Sequence, residues 1–187
     1  LVISANNGDN TVGIGEIEYI HTPLVEGKFG SAMDLNDEYI DLPFRIDQGS
    51  NEGVTFSAWV YPRSVDGGTD NERIIFGTDN GGWDWTMGIR SGSLTAWTGV
   101  TRYQSPLNSY SNKWYHCVAV FDPISSRTRL HLNGGSVTSD SLALDGSSNL
   151  VRLGSHFGNR YFDGLLDDVR IWGRPLTVAE VNRIWGN

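Results

Sequence analysis

The sequence predicts an all-β fold, a sandwich or a barrel with a short C-terminal helix, in a single domain of residues 1–187. Short apolar runs alternate with turn signals every 8 to 12 residues or so, as in sandwiches and barrels. The composition, with 23 Gly and seven Trp in 187 residues, fits strands and turns better than helices. A chain of this length buries a core without disulfides, and its single cysteine, Cys117, is interpreted as a core residue.

The apolar runs define eight strands. In chain order, they are residues 54–61, 73–77, 85–90, 94–100, 114–121, 128–133, 150–154 and 166–172. Between them lie segments rich in Asn, Asp and Gly, which tolerate the positive φ angles of tight turns. Residues 4–15 show no clear period and are predicted to form a loop or a weak edge strand.

One segment has the pattern of a helix. Thr177 is followed three residues later by Glu180, the spacing of a capping box, and Pro175 ends the strand before it. The apolar residues that share one face of this helix are Val178, Val181, Ile184 and Trp185. The spacing therefore predicts a short closing helix that packs on the sandwich.

Charge and composition exclude several classes of function. The net charge is −8 and only two of the fourteen basic residues are Lys, which argues against a nucleic-acid partner. The chain contains no run of about 20 apolar residues, so no membrane partner is expected. The four histidines and one cysteine show no zinc-ligand spacing.

Six sequence blocks resemble the laminin-G-like jelly-roll domains of the concanavalin A-like superfamily. They are GKFGSAMDL at 27–35, EYIDLP at 38–43, FSAWVYP at 56–62, KWYHCVAVFD at 113–122, RLHLNG at 129–134 and FDGLLDDVRIW at 162–172. The resemblance covers residues 27–186 and implies an all-β jelly-roll sandwich of two stacked antiparallel sheets, one of them concave. It also implies a carbohydrate-binding (lectin) or adhesive module of a secreted, bacterial protein, often with a structural calcium ion.

The resemblance also points to residues for the metal. In such domains an Asp of the last strand, in an Asp-x-Val-Arg context, often holds calcium, and Asp167 matches that position. Because neighbouring side chains on a strand point to opposite faces, Asp167 and Asp168 cannot both reach one ion. Asp34 is a weaker candidate ligand. Calcium is thus the expected cofactor, and the alternative is that the two aspartates cap a strand edge.

Catalysis has little support in the sequence. Glycoside hydrolysis needs two carboxylates that face one substrate, and Glu16 and Glu18 are the only tight Glu pair with strand spacing. Their context does not reproduce the Glu-x-Asp-x-x-Glu pattern of laminarinase-like hydrolases. We therefore expect no catalytic residues, and we interpret the pair as a solvated strand face.

Two surfaces are candidates for ligand binding. If several strands belong to one sheet, alternation places one set of side chains on its open face: Arg90, Trp97, Arg129, His131, Arg152 and His156. Aromatic side chains stack on sugar rings, and guanidinium groups pair with carboxylates or sulfates. The second surface is a loop edge with Trp83, Tyr103 and Tyr110, whose aromatic rings no core obviously claims.

These observations predict a non-catalytic carbohydrate-binding module that targets an extracellular enzyme or surface protein to a polysaccharide. The arginines either bind an acidic polysaccharide or only pair with acids on neighbouring strands. Its partners would be a polysaccharide or oligosaccharide and the parent domains of the full-length protein. One alternative is an adhesive or structural domain that binds another protein. A small polysaccharide lyase or hydrolase is the other.

Overall fold

This computed structural model describes residues 4–7, 10–13, 23–47, 53–65, 72–78, 85–98, 101–108, 111–139, 142–143, 148–155 and 160–186. These residues contain fifteen strands and one helix. The strands are β1 Ser4–Asn7, β2 Asn10–Gly13, β3 Leu24–Glu26, β4 Ser31–Asn36, β5 Ile40–Asp47, β6 Val54–Pro62, β7 Glu72–Gly77, β8 Trp85–Arg90, β9 Ser93–Thr98, β10 Arg102–Asn108, β11 Tyr115–Asp122, β12 Arg127–Leu132, β13 Gly135–Ser139, β14 Ser148–Leu153 and β15 Asp163–Trp172. The helix α1 is Val178–Trp185.

The strands form two sheets. The nine-stranded sheet has the order β13-β12-β11-β6-β15-β1-β2, and β4 pairs with both β15 and β3. The six-stranded sheet has the order β10-β9-β8-β7-β14-β5. The described pairings are antiparallel except for β1, which runs parallel to β15. The predicted two-sheet sandwich is confirmed, and residues 4–13 contribute β1 and β2 at one edge of the larger sheet.

Local sequence explains two of the tight hairpins. The turn between β12 and β13 is Asn133-Gly134, and the turn between β8 and β9 is Ser91-Gly92, with positive φ at all four residues. Two consecutive residues with positive φ are typical of the hairpin turn whose twist matches that of the strands. These dipeptides therefore set the register of each strand pair.

The core lies between the sheets and follows the strand alternation. Met87 and Ile89 of β8, and Leu94 and Ala96 of β9, are fully buried, as predicted. Cys117 is also fully buried in this core. Trp85 stacks on Phe121 of the facing sheet with ring centroids 5.3 Å apart and an angle of 3° between the rings.

The helix α1 packs on the outer face of the nine-stranded sheet. Its capping box is present as predicted, because the Thr177 hydroxyl accepts from the Glu180 N–H and the Glu180 side chain accepts from the Thr177 N–H. Val181 is buried against Val118 and Val120 of β11. None of the described residues forms a helix long and apolar enough to cross a membrane.

Candidate functional site

The outer face of the six-stranded sheet presents one straight row of residues across the strands. The residues next to them along each strand point into the core, so by strand alternation the side chains of the row point outward. From β10 to β5, the residues directly opposite one another are Arg102, Trp97, Thr86, Gly77, Arg152 and Asp41. This row brings together two of the predicted binding residues, Trp97 and Arg152.

Trp97 is half-buried on β9, so its indole is neither sealed in the core nor fully exposed. Its backbone N–H donates to Thr86 Oγ1 at 3.3 Å, which ties β9 to the next strand of the row. On the other side, Arg102 of β10 is its cross-strand partner. An aromatic ring with a planar guanidinium beside it is a suitable surface for a sugar.

A buried carboxylate, which the sequence reasoning missed, organises this surface. Glu72 on β7 is only 2% exposed. It accepts a hydrogen bond from Thr95 Oγ1 at 2.8 Å and one from Arg102 Nε at 3.0 Å, and the guanidinium of Arg160 lies 4.0 Å away. Because a buried charge is costly without partners, Glu72 holds the guanidinium of Arg102, the cross-strand partner of Trp97.

The two other arginines predicted for this sheet are placed differently. Arg90, at the end of β8, is half-buried and lies opposite Glu72 in the register. Arg152 is 8% exposed and donates from Nε and an Nη atom to both Asp41 oxygens, at 2.6 and 2.9 Å. The Arg152 guanidinium is thus committed to a neighbouring acid. The signal for this pairing was weak, since 111 residues separate the partners.

Arg129 and His131 do not share this face, and the prediction of one common sheet is wrong for them. Both belong to β12, which lies in the nine-stranded sheet. Arg129 donates to the Leu176 carbonyl at 2.6 Å, just before α1, and His131 is 1% exposed. Strand alternation correctly predicted that both side chains point away from the core. However, β12 pairs with β11 and not with the strands around Trp97.

Buried histidines lie on this outer face of the nine-stranded sheet, which α1 covers. Burial lowers the pKa of both His116 and His131 to about 4. Ser57 Oγ is hydrogen-bonded to His116 Nε2 at 2.9 Å, whereas both ring nitrogens of His131 lack a partner among the described residues. Neutral imidazoles packed in this way are structural groups at the seam.

The predicted loop-edge surface is also revised. Tyr103 is not in a loop, because it lies in β10 opposite Ala96 and packs against the core. Burial raises the pKa of its phenol. Trp83, Tyr110 and His156, together with the Glu16 and Glu18 pair, lie outside the described residues.

Asp167 and Asp34, the predicted calcium ligands, both have partners within the protein. Asp167 is 5% exposed, and its two oxygens accept from the backbone N–H groups of Phe29 and Asp168, both at 2.7 Å. Asp34 forms an ion pair with Arg63 at 2.6 Å, so a cation there would meet a guanidinium. The described residues contain no cluster of three or more His, Cys, Asp or Glu side chains arranged as metal ligands. Calcium itself stays a prediction.

A family model described as the concanavalin A-like lectin/glucanases superfamily, of laminin G type, matches residues 34–182. The chain belongs to this family. No match is found among curated proteins. Membership of this superfamily agrees with the observed two-sheet sandwich and with a domain of lectin type.

Solved structures show the same fold at low sequence identity. Domain 4 of AbnA, an extracellular arabinanase from Geobacillus stearothermophilus, is 21% identical with a TM-score of 0.67, over 98% of this chain and 86% of that one. A pentraxin from Limulus polyphemus is 15% identical with a TM-score of 0.64, over 81% of this chain and 80% of that one. The receptor-binding domain of botulinum neurotoxin D is 14% identical with a TM-score of 0.65, over 100% of this chain and 52% of that one.

Proposed function

We propose that this chain is a non-catalytic carbohydrate-binding module that holds an extracellular enzyme or surface protein on a polysaccharide. The observation that carries the proposal is the half-buried Trp97 beside Arg102, whose guanidinium is held by the buried Glu72. A stacking ring and a fixed planar donor bind a sugar with little loss of side-chain freedom. The arabinanase domain of the same fold, which was solved in complex with arabinotriose, supports this choice.

The charges around Trp97 bear on the kind of polysaccharide. Among the described residues, Arg102 binds the buried carboxylate of Glu72 and Arg90 lies opposite Glu72 in the register, so guanidinium groups outnumber carboxylates next to Glu72 although the chain carries −8 overall. A local positive field favours a ligand that carries carboxylate or sulfate groups. We therefore extend the proposal to an acidic sugar bound next to Trp97.

Affinity gel electrophoresis tests the proposal on matched panels of neutral polysaccharides (arabinan, xylan, mixed-linkage glucan) and acidic ones (polygalacturonate, alginate, carrageenan). Loss of a stacked aromatic ring costs about 2 kcal/mol or more at a binding hot spot, so Trp97→Ala should weaken binding about 30-fold. The control is Trp114→Ala, because Trp114 is also half-buried but packs against Tyr61 on the other sheet. Absence of retardation on every polysaccharide, or equal binding by Trp97→Ala, would refute the proposal.

A protein-binding role is the second candidate, and one observation favours it. On the outer face of the nine-stranded sheet, Phe29 is 52% exposed and packs edge-on against Trp59 at 5.7 Å. Lys28 lies over the same indole at 4.6 Å. An exposed aromatic ring with an adjacent cation is a common anchor in protein interfaces. Binding of a protein partner that depends on Phe29 but not on Trp97 would support this role.

A further inference from the structure

A second aromatic surface lies on the outer face of the six-stranded sheet, at the edge opposite Trp97. Tyr39 directly precedes β5 and is 45% exposed. The ring of Tyr161 lies 6.3 Å away and is tilted by 31° relative to the Tyr39 ring. Leaving a large ring in water forfeits burial energy, which makes the exposed Tyr39 ring informative about binding.

Tyr39 is held rigidly. The Arg152 guanidinium carbon lies 3.7 Å from the centre of the Tyr39 ring, within the range of a cation–π contact. Both Asp41 oxygens hold that guanidinium, so the plane beneath the ring is fixed. One face of Tyr39 is therefore packed on a rigid base. A ring fixed in this way loses little freedom when a ligand stacks on it.

The position of Tyr39 relative to Trp97 follows from the register. Tyr39 packs on Arg152, and Arg152, Gly77, Thr86 and Trp97 lie opposite one another on β14, β7, β8 and β9. Three strand spacings separate Arg152 from Trp97, which is about 14 Å. Thr86 and Gly77 are buried, and a Cβ at Gly77 would lie 3.5 Å from the Ser155 carbonyl oxygen, so neither residue offers a surface to a ligand and the contacts fall on the two aromatic side chains. This span is longer than one sugar ring.

The charges near Tyr39 differ from those near Trp97. Arg73 and Arg152 are each paired with an acid, Asp37 at 3.0 Å and Asp41 at 2.6 Å. The side chains of Asp37 and Asp41 are 61% and 42% exposed, and Glu38 is exposed as well. Carboxylates accept hydrogen bonds from sugar hydroxyls and repel anionic groups. This end of the row therefore suits an uncharged sugar unit.

We propose that Tyr39 is the second stacking position of one extended oligosaccharide that lies across the strands and also contacts Trp97, with an uncharged unit on Tyr39. The inference rests on the proposed carbohydrate-binding function. It implies that affinity increases with chain length until the ligand spans both rings. It also implies that the bound chain runs perpendicular to the strands, along the row.

Isothermal titration calorimetry with arabino-, xylo-, gluco- and galacturono-oligosaccharide series, from monosaccharide to hexasaccharide, tests the inference. For a bound series, wild-type affinity should rise by about tenfold between the short and long members. Tyr39→Ala should abolish that rise but leave binding of the short members unchanged. Tyr39→Phe, which keeps the ring, should retain the rise, and Tyr61→Ala on the other sheet is the matched control.

The outcomes separate the two proposals. If long oligosaccharides bind but Tyr39→Ala keeps the full dependence on length, the second stacking position is wrong and the Trp97 site stands. If neither the oligosaccharides nor the parent polysaccharides bind, the carbohydrate-binding function fails as well. If Tyr39→Ala does not fold, Tyr39→Leu preserves apolar cover over Arg152 and removes only the aromatic ring, with the same expected loss. A protein ligand that protects Tyr39 while no oligosaccharide binds would also overturn the inference.

Discussion

Asp167 holds the hairpin between β3 and β4 in place, and its replacement tests this role directly. Its two oxygens each accept a 2.7 Å hydrogen bond from a backbone N–H group, one from Phe29 in the hairpin and one from Asp168. The hairpin turn itself closes with a bond from the Gly27 N–H to the Gly30 carbonyl. In Asp167→Asn, the amide NH₂ would confront one of the two backbone donors. That donor is then left buried without an acceptor.

The structure sets the size of the effect. A hydrogen bond to a charged group contributes about 1.5–3 kcal/mol, and an unsatisfied buried N–H adds a penalty, so Asp167→Asn should cost about 3 kcal/mol. For a chain of this size, that corresponds to a fall in Tm of about 6–12 °C. Asp168→Asn is the matched control, because it removes the same charge from the next residue. The Asp168→Asn variant loses only a partly exposed ion pair with Arg170, which contributes about 1 kcal/mol at most.

Thermal unfolding by calorimetry measures both variants, with and without EDTA. Gly27→Ala provides an independent perturbation, since its Cβ would lie 2.6 Å from Asp167 Oδ2 and force the hairpin away. A Tm for Asp167→Asn equal to that of Asp168→Asn would refute the hydrogen-bonding role. If EDTA lowered the Tm of the wild-type protein and removed its difference from Asp167→Asn, Asp167 would be a calcium ligand instead.

Two further predictions concern buried titratable groups. Burial lowers the pKa of His116 and His131 to about 4, below the ordinary value of 6.5. As the pH falls, the two imidazoles therefore take up protons in the unfolded chain before they do so in the folded protein. The stability that is present above pH 6.5 is lost between pH 6.5 and 4. Urea unfolding across this pH window should show a smaller loss of unfolding free energy for His131→Leu than for the wild-type protein. An equal loss would contradict a role of His131 in the pH dependence. Burial raises the pKa of the Cys117 thiol, so iodoacetamide should label it only in denaturant, and rapid native labelling would show that the core opens there.

Local patterns were sufficient where neighbours along the chain decide the structure. Strand alternation identified the core positions of β8 and β9, and the Thr177 to Glu180 spacing identified the helix cap. The Asn133-Gly134 dipeptide marked a hairpin turn in the same way. Other strands were missed: β3, β10 and β13 were not among the predicted strands, and β4 and β5 lie in segments that only the family resemblance singled out.

The candidate site was predicted less well because its parts come from distant segments. Arg152 and Asp41 are 111 residues apart, and Glu72 holds Thr95 and Arg102 from two other strands. A polar residue in an apolar strand does not reveal which charges will face it. The sequence therefore identified Trp97 as a surface aromatic but missed the buried carboxylate that organises the arginine beside it.

Sequence alone indicated an all-β sandwich or barrel, because strand periodicity, turns and caps depend on neighbouring residues, and six sequence blocks carried the resemblance to the concanavalin A-like superfamily. The side of its sheet to which each residue points was determined in the same way. Only the tertiary structure decided which sheet each strand joins. A period of two is the same in both sheets, so alternation could not separate Arg129 and His131 from Trp97. Long-range strand pairing made that separation, and with it the row of residues that joins Trp97 to Arg152 and Tyr39.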